Sequence, residues 1–265
     1  MSIAVETYHS LSEAASAMRD KSFYLGGGTL LMYGVNYGAQ GVERIVRTTD
    51  ASLRDIRPEG SGLRIGAGVR MSDVMANPDL QFLAPVARSI GGPAVRNMAT
   101  VGGNLFALSP FGDFATALLA LDAMVQMADG ASVPIESFLA NRDAQRGLVA
   151  AVIVPRPSQG AFRFRKVTRT KPKGPSVLCI AARLPGGSRI TDARIAFGAM
   201  GKTPLRAKAA EAALEGASLD QAGIQRAIDV ATEGLDPQDD AISTGWYRRE
   251  VAPVHLRRLL LDEER

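Results

Sequence analysis

An α+β fold is predicted for this chain, in two parts: a two-lobe unit over residues 1–157, dividing near residue 52, and a second domain over residues 158–265. Three observations predict it. Short apolar runs at Phe23 to Leu25 and at Ile45-Val46 stand on either side of a glycine-broken bend and an apolar segment, the pattern of a small βαβ lobe. Apolar runs at Leu63 to Ala67, Ala123 to Ala128 and Leu148 to Val154 follow, and Asp129-Gly130 is a strong two-residue hairpin signal, so the second lobe reads as mixed and mostly antiparallel. Pro155 to Gly160 then interrupts the pattern, and behind it strand-like segments come first and helices last.

Taken in order, Ser10-Leu11-Ser12-Glu13 opens a helix whose apolar positions Leu11, Ala14, Ala15 and Met18 recur at helical spacing, with Ser10 or Ser12 as cap. Thr29 to Val35 supplies the helix of the first lobe, which ends near Asp50. In the second lobe a helix is expected at Met71 to Met75, capped by Ser72 or Asp73, and a longer one at Pro85 to Val95, interrupted by Gly91-Gly92. Ser109-Pro110-Phe111-Gly112-Asp113 reads as a turn and helix start, with Asp113 as N-cap of an apolar helix, Phe114 to Leu121. After the break come strands at Phe162 to Val167, Val177 to Leu184 and Ala193 to Ala199, then helices at Leu205 to Leu214, Leu219 to Val230 and Trp246 to Leu261. Trp246-Tyr247 is read as an aromatic anchor at a helix start in preference to a docking surface.

Composition narrows the function. At 265 residues and 46% hydrophobic content the chain can build a large core. A net charge of +4 with mixed signs is too mild to argue for nucleic acid, and the one dense basic cluster, six Lys or Arg between Arg163 and Lys173, reads as a solvated strand edge ahead of phosphate binding or partner docking. A single cysteine, Cys179 in an apolar run, excludes an internal disulfide and reads as a buried, inert thiol. With two distant histidines, His9 and His255, no transition-metal or iron–sulfur site can be assembled from the sequence, so metal redox chemistry must come from elsewhere. No basic start precedes an apolar stretch and no run approaches the roughly 18 apolar residues of a membrane span, which makes the cytoplasm the expected compartment.

Two bends carry candidate chemistry. Leu25-Gly26-Gly27-Gly28-Thr29-Leu30-Leu31 is a strand, a glycine turn and a helix start, and Thr100-Val101-Gly102-Gly103-Asn104 is a second backbone with little side chain. Bare backbone lets N–H groups approach an anion closely. Two such cradles suggest an extended diphosphate held between lobes, and a dinucleotide fits that description.

Together these segments resemble the FAD-binding, or medium, subunit of the molybdenum hydroxylases, the carbon monoxide dehydrogenase, xanthine dehydrogenase and aldehyde oxidoreductase group. The first bend is similar to that family's A-G-G-T/H-S/D-L-L loop. The second, with Ser109, Pro110 and Asp113, is similar to its T-I/L-G-G-N-x-x-x-x-S/D-P-x-x-D segment. Ile65 to Val69 resembles its I-G-A-G-V segment and Pro204 to Leu214 its P-x-R-A-K-A-A-E-x-x-L segment, so the likeness runs in order from about Thr7 to Leu260.

The resemblance implies a two-lobe PCMH-type FAD-binding domain followed by a domain of the carbon monoxide dehydrogenase flavoprotein type, a small antiparallel sheet backed by helices. It implies FAD as cofactor, and an iron–sulfur subunit and a molybdopterin subunit as partners, in a heterotrimer or its dimer. Electrons would arrive from 2Fe–2S clusters on a partner and leave to NAD, oxygen or another external acceptor. The flavin would do the chemistry, without a catalytic side chain. Leu25, Gly26, Gly27, Gly28, Thr29, Leu30 and Leu31, with Thr100, Gly102, Gly103 and Asn104, would hold the diphosphate. By the same resemblance Asp113 would bind the adenosine half, Ile90 and Val149 would lie against the cofactor, and Lys166 would stand near the flavin and favour negative charge on the reduced ring. Valine at Gly27 or Gly102 is expected to abolish binding by projecting into the diphosphate path. The chain departs from the family pattern at Arg169-Thr170-Lys171-Pro172-Lys173-Gly174-Pro175, where prolines and a glycine replace a regular strand entry, and this loop is expected to influence the choice of acceptor.

Other readings compete. Ala196 to Thr203 matches a relaxed phosphate-loop pattern, but Pro204 follows Thr203 at once and no acidic strand for magnesium follows, so a strand-to-helix turn is preferred. Gly66-Ala67-Gly68 lacks the third glycine of a nicotinamide fingerprint, Met71 standing in its place. A freestanding FAD-dependent oxidase or reductase of the cell-wall enolpyruvyl reductase type, and an assembly subunit without flavin, remain as alternatives.

Overall fold

A computed structural model describes residues 3–38, 41–144, 147–170, 174–187 and 189–263. The first lobe comprises β1 (Ala4–Tyr8), α1 (Leu11–Ala17), β2 (Ser22–Tyr24), α2 (Leu31–Asn36) and β3 (Arg44–Thr48). Its sheet is parallel, in the order β1-β3-β2. Only the central β3 is buried, through Ile45 and Val46, which is why it alone carries a clear apolar signature. The edge strand β1 was not foreseen, because Val5 in it is 58% exposed. Ser10 caps α1 through a capping box with Glu13, as one of the two expected caps.

The second lobe comprises β4 (Ile56–Glu59), β5 (Gly62–Gly66), the short helices α3 (Met71–Ala76), α4 (Ala84–Ser89), α5 (Pro93–Arg96) and α6 (Val101–Leu105), then α7 (Asp113–Ala120), β6 (Met124–Met127), β7 (Ser132–Pro134), α8 (Ile135–Ala140) and β8 (Val149–Pro155). The strands form a five-stranded antiparallel sheet, β4-β5-β8-β6-β7. The Asp129-Gly130 hairpin is present, with Gly130 at φ +88 and the Asp129 carboxylate accepting from the Ala131 N–H. The expected helix at Pro85 to Val95 is two helices, divided where Gly91 adopts φ +49. Neither expected cap of α3 stands at its N-cap. Arg70 does, and the Asp73 carboxylate accepts from its N–H.

The last part comprises β9 (Phe162–Thr168), β10 (Ser176–Arg183), β11 (Arg194–Gly198), β12 (Leu205–Arg206), α9 (Lys208–Leu214), α10 (Gln221–Asp229) and α11 (Gly245–Leu260). The sheet is antiparallel in the order β12-β11-β10-β9. Residues 205–206, expected at the start of a helix, pair with β11 instead.

β10 is apolar on both faces because both are covered. Leu178, Ile180 and Ala182 face the core shared with α9, α10 and α11, whereas Ala181, with Ala196 of β11, joins the core of the second lobe. α7 lies on that side, and all eight of its residues are buried. A helix that is apolar all round belongs between layers. Burying each of Phe114, Leu118 and Leu119 contributes about 1.5–3 kcal/mol. Among the described residues no helix is long and apolar enough to cross a membrane.

Candidate functional site

The two glycine bends meet. β2 ends where the Leu25 N–H donates to the Val46 carbonyl at 2.7 Å, and the chain then turns through Gly26 to Gly28, the last at φ +71, before α2. A Cβ at Gly27 would lie 1.9 Å from the Met98 carbonyl oxygen, and one at Gly26 would lie 2.9 Å from Thr100 Oγ1. The first bend therefore rests directly on the second. Among the described residues, the N–H groups of Gly26, Gly27, Gly28, Thr29 and Leu30 have no acceptor. Consecutive unpaired amides in a glycine turn form an anion-binding concavity, and the Thr29 hydroxyl, also without a partner among the described residues, adds a donor beside them.

The second bend differs from expectation. Val101 N–H donates to the Val69 carbonyl, Gly102 N–H to Ala67, Gly103 N–H to Thr100 Oγ1 and Asn104 N–H to the Thr100 carbonyl. These amides serve the chain itself, so Gly102 and Gly103 offer no free main-chain donor. The acceptors at Ala67 and Val69 lie in the loop after β5, a partnership invisible in the local sequence. Gly102 is glycine because a Cβ there would stand 2.8 Å from Ala67 Cβ. A valine at Gly27 or Gly102 would thus collide with the protein's own chain rather than enter a diphosphate path. Asn104 accepts from the Ala115 N–H at 3.0 Å and so ties this bend to the first turn of α7.

A second cluster forms where α4, α7 and the last sheet come together. Lys166 of β9 places its Nζ 2.6 Å from Asp113 Oδ2 and donates to the Ser89 carbonyl at 3.1 Å. The Ser176 hydroxyl donates to Asp113 Oδ1 at 2.7 Å. Asp113 is not the N-cap of α7; Gly112, at φ +100, is, and the carboxylate is turned to Lys166 instead. Asp113 and Lys166 were expected at opposite halves of a dinucleotide. The structure places them in contact with each other. Ile90 follows Ser89 directly and is partly buried against the second-lobe core, while Val149, 5% exposed, is inside that core and shows a ligand little side chain.

Ser176 was missed by sequence reasoning. The available signal was a hydroxyl opening the otherwise apolar run Ser176 to Ala182. Cys179 is buried, its Sγ 3.5 Å from Thr116 Oγ1, and burial, with the Asp113 charge added, pushes its thiol well above the ordinary range, so it stays protonated. Of the basic cluster, Arg163 donates to the Leu259 and Leu260 carbonyls and Arg165 to that of Glu263, so both satisfy the C-terminal end of α11 rather than a solvated edge. Lys171, Pro172 and Lys173 of the divergent loop lie outside the described residues. Trp246 is 68% exposed, and α11 is capped by the Thr244 hydroxyl, which accepts from the Tyr247 N–H. The phosphate-loop decoy runs from β11 into a turn and β12, and a Cβ at Gly198 would stand 2.5 Å from both Cys179 Sγ and Thr116 Oγ1. Among the described residues, no group of three His, Cys, Asp or Glu could hold a metal.

The open amides of the first bend fit a diphosphate, and Lys166 and Asp113 form a polar cluster where α4, α7 and β9 meet. Residues 2–157 match the model of the FAD binding domain in molybdopterin dehydrogenase, and residues 163–262 that of the CO dehydrogenase flavoprotein C-terminal domain. A xanthine dehydrogenase FAD-binding subunit of Escherichia coli O157:H7 is 28% identical over 272 residues, covering 94% of this chain and 91% of its own. The glyceraldehyde dehydrogenase medium chain of Sulfolobus acidocaldarius is 28% identical over 214 residues, 76% of each. Among solved structures, carbon monoxide dehydrogenase from Hydrogenophaga pseudoflava matches with a TM-score of 0.89 at 25% identity, covering 97% of this chain and 96% of that one. Carrying both matched domains in the order its bends and sheets require, the chain belongs to the FAD-binding subunits of the molybdenum hydroxylase family.

Proposed function

We propose that this chain is the electron outlet of a multi-subunit molybdenum hydroxylase, receiving electrons from iron–sulfur clusters on a partner and passing them to NAD, oxygen or another external acceptor. The observation that carries the reading is the run of unpaired amides from Gly26 to Leu30, braced from behind by Met98 to Gly103. Those amides and the Thr29 hydroxyl hold the diphosphate, with Leu25 and Leu31 closing the ends of the bend. Thr100, Gly102 and Gly103 shape the wall behind it, and Asn104 adds the amide end of its side chain, which has no partner among the described residues. Ile90, Asp113 and Lys166 line the flavin end, where the ammonium group favours added negative charge. Bound FAD would supply the redox chemistry, as a carrier able to exchange electrons singly or in pairs.

The partners are an iron–sulfur subunit and a molybdopterin subunit, assembled as a heterotrimer or its dimer, and the relatives named as medium chains and FAD-binding subunits support that reading. The Arg169 to Pro175 loop sets which acceptor is used. Purified full-length chain should be yellow and hold one FAD; a colourless chain that takes up no FAD would defeat the proposal. For the loop, oxidation of the reduced complex by NAD and by oxygen should change in relative rate when a relative's loop is grafted in, and an unmoved preference would remove it from the account.

A further inference from the structure

Lys166 does not stand at the flavin end as a free positive charge. Its ammonium group is 2.6 Å from Asp113 Oδ2, and the other carboxylate oxygen accepts from the Ser176 hydroxyl at 2.7 Å. The two charged side chains are 12% and 6% exposed, and Ser176 is wholly buried. At such depth water screens little, so a paired ammonium and carboxylate act on their neighbours as a dipole rather than as a monopole. An ammonium has three protons to donate. Among the described residues Lys166 places them on Asp113 and on the Ser89 carbonyl alone, leaving one for a ligand beside Ile90. The Ser176 hydroxyl has no partner among the described residues but the Asp113 carboxylate.

We infer that Asp113 and Ser176 set the charge that Lys166 presents to the flavin, Asp113 by neutralising the ammonium group and Ser176, as a positioning residue, by holding the carboxylate. This rests on the flavin lying beside Lys166, as proposed above. The consequence is opposite in sign for the two residues. Asp113→Asn keeps the shape and an acceptor for Ser176 but removes the negative charge, so the reduced, more negative flavin is favoured. Ser176→Ala leaves the carboxylate with one donor fewer and its charge more concentrated on Lys166, so the oxidised flavin is favoured. Ser176→Thr restores the hydroxyl.

The test uses the full chain with FAD: dissociation constants for oxidised FAD, midpoint potentials of the bound flavin by spectroelectrochemistry, and thermal unfolding of each variant. Asp113→Asn should shift the balance at least tenfold toward reduced flavin, about 30 mV for a two-electron couple. Ser176→Ala should shift it the other way, and Ser176→Thr should return it to the wild-type value. Should Ser176→Ala fail to fold, Asp113→Asn against wild type decides alone. Unmoved potentials in variants that still hold FAD would overturn the inference and leave the FAD site standing. Loss of FAD from folded Asp113→Asn would put the carboxylate on the cofactor itself and also overturn it. A wild-type chain that binds no FAD would overturn the site and the inference together.

Discussion

A methyl group added at Gly27 would stand 1.9 Å from the Met98 carbonyl oxygen, whereas one added at Gly103 would meet only Thr100 Oγ1, at 3.0 Å. Main chain cannot yield as a flexible side chain does, so the two substitutions should part company. Gly27→Ala is expected to cost about 1–3 kcal/mol, the range for forcing bulk into a filled space, and to lose FAD because the cradle is pushed off its support. Gly103→Ala should keep FAD near full stoichiometry. Flavin content and thermal unfolding of the two proteins check this, and equal FAD loss in both would mean that the glycines are needed for the ligand rather than for the contact. The same residues show the limit of reading chemistry from composition. Both bends are rich in glycine, yet among the described residues the amides of the second are taken, those of Val101 and Gly102 by Val69 and Ala67, distant in sequence, and those of Gly103 and Asn104 by Thr100.

At the scale of elements, α7 is the strut between the sheet of the second lobe and that of the last part, and its side chains have no solvent face. Leu118→Ala should therefore cost about 2–5 kcal/mol, since the cavity is enclosed by rigid strands on both sides. Chemical denaturation should show the loss as a lowered midpoint with an unchanged slope. By contrast Ser10→Ala, at the exposed capping box of α1, should cost about 1 kcal/mol. Part of the element order was legible: the hairpin at Asp129-Gly130 and the strands β2, β3, β5, β6, β8, β9, β10 and β11 follow from periodicity and turn chemistry, whereas β4 and β12 were not foreseen. What was not legible depends on long-range partners. β1 is a strand because β3 offers it an edge, and Asp113 leaves its expected capping role because Lys166 reaches it from β9.

Across the whole molecule, the second lobe and the last sheet share charges as well as apolar surface. Asp122 accepts from Arg183 and pairs with Arg194, while Glu136 pairs with Lys208 at 2.7 Å and with Arg206 at 3.5 Å. Hydrogen bonding from Lys208, with its charge and that of Arg206 beside it, holds the Glu136 carboxyl below its usual value of 4.5 despite partial burial. Its folded pKa being the lower, its contribution is full above pH 4.5 and disappears as the pH falls through the depressed value. Glu136→Gln should flatten the acid side of the stability profile while leaving the slope near neutrality unchanged, which thermal unfolding between pH 3 and pH 7, a range set by ordinary carboxylate titration, would record. Both walls of α7 have a further consequence. A scissor cut in the gap between the two matched regions, after residue 157, would strip that helix of half its cover and leave an oily flank bare. Fragments made there should clump on a sizing column where the intact chain runs cleanly, since neighbours in space need not be separable in sequence.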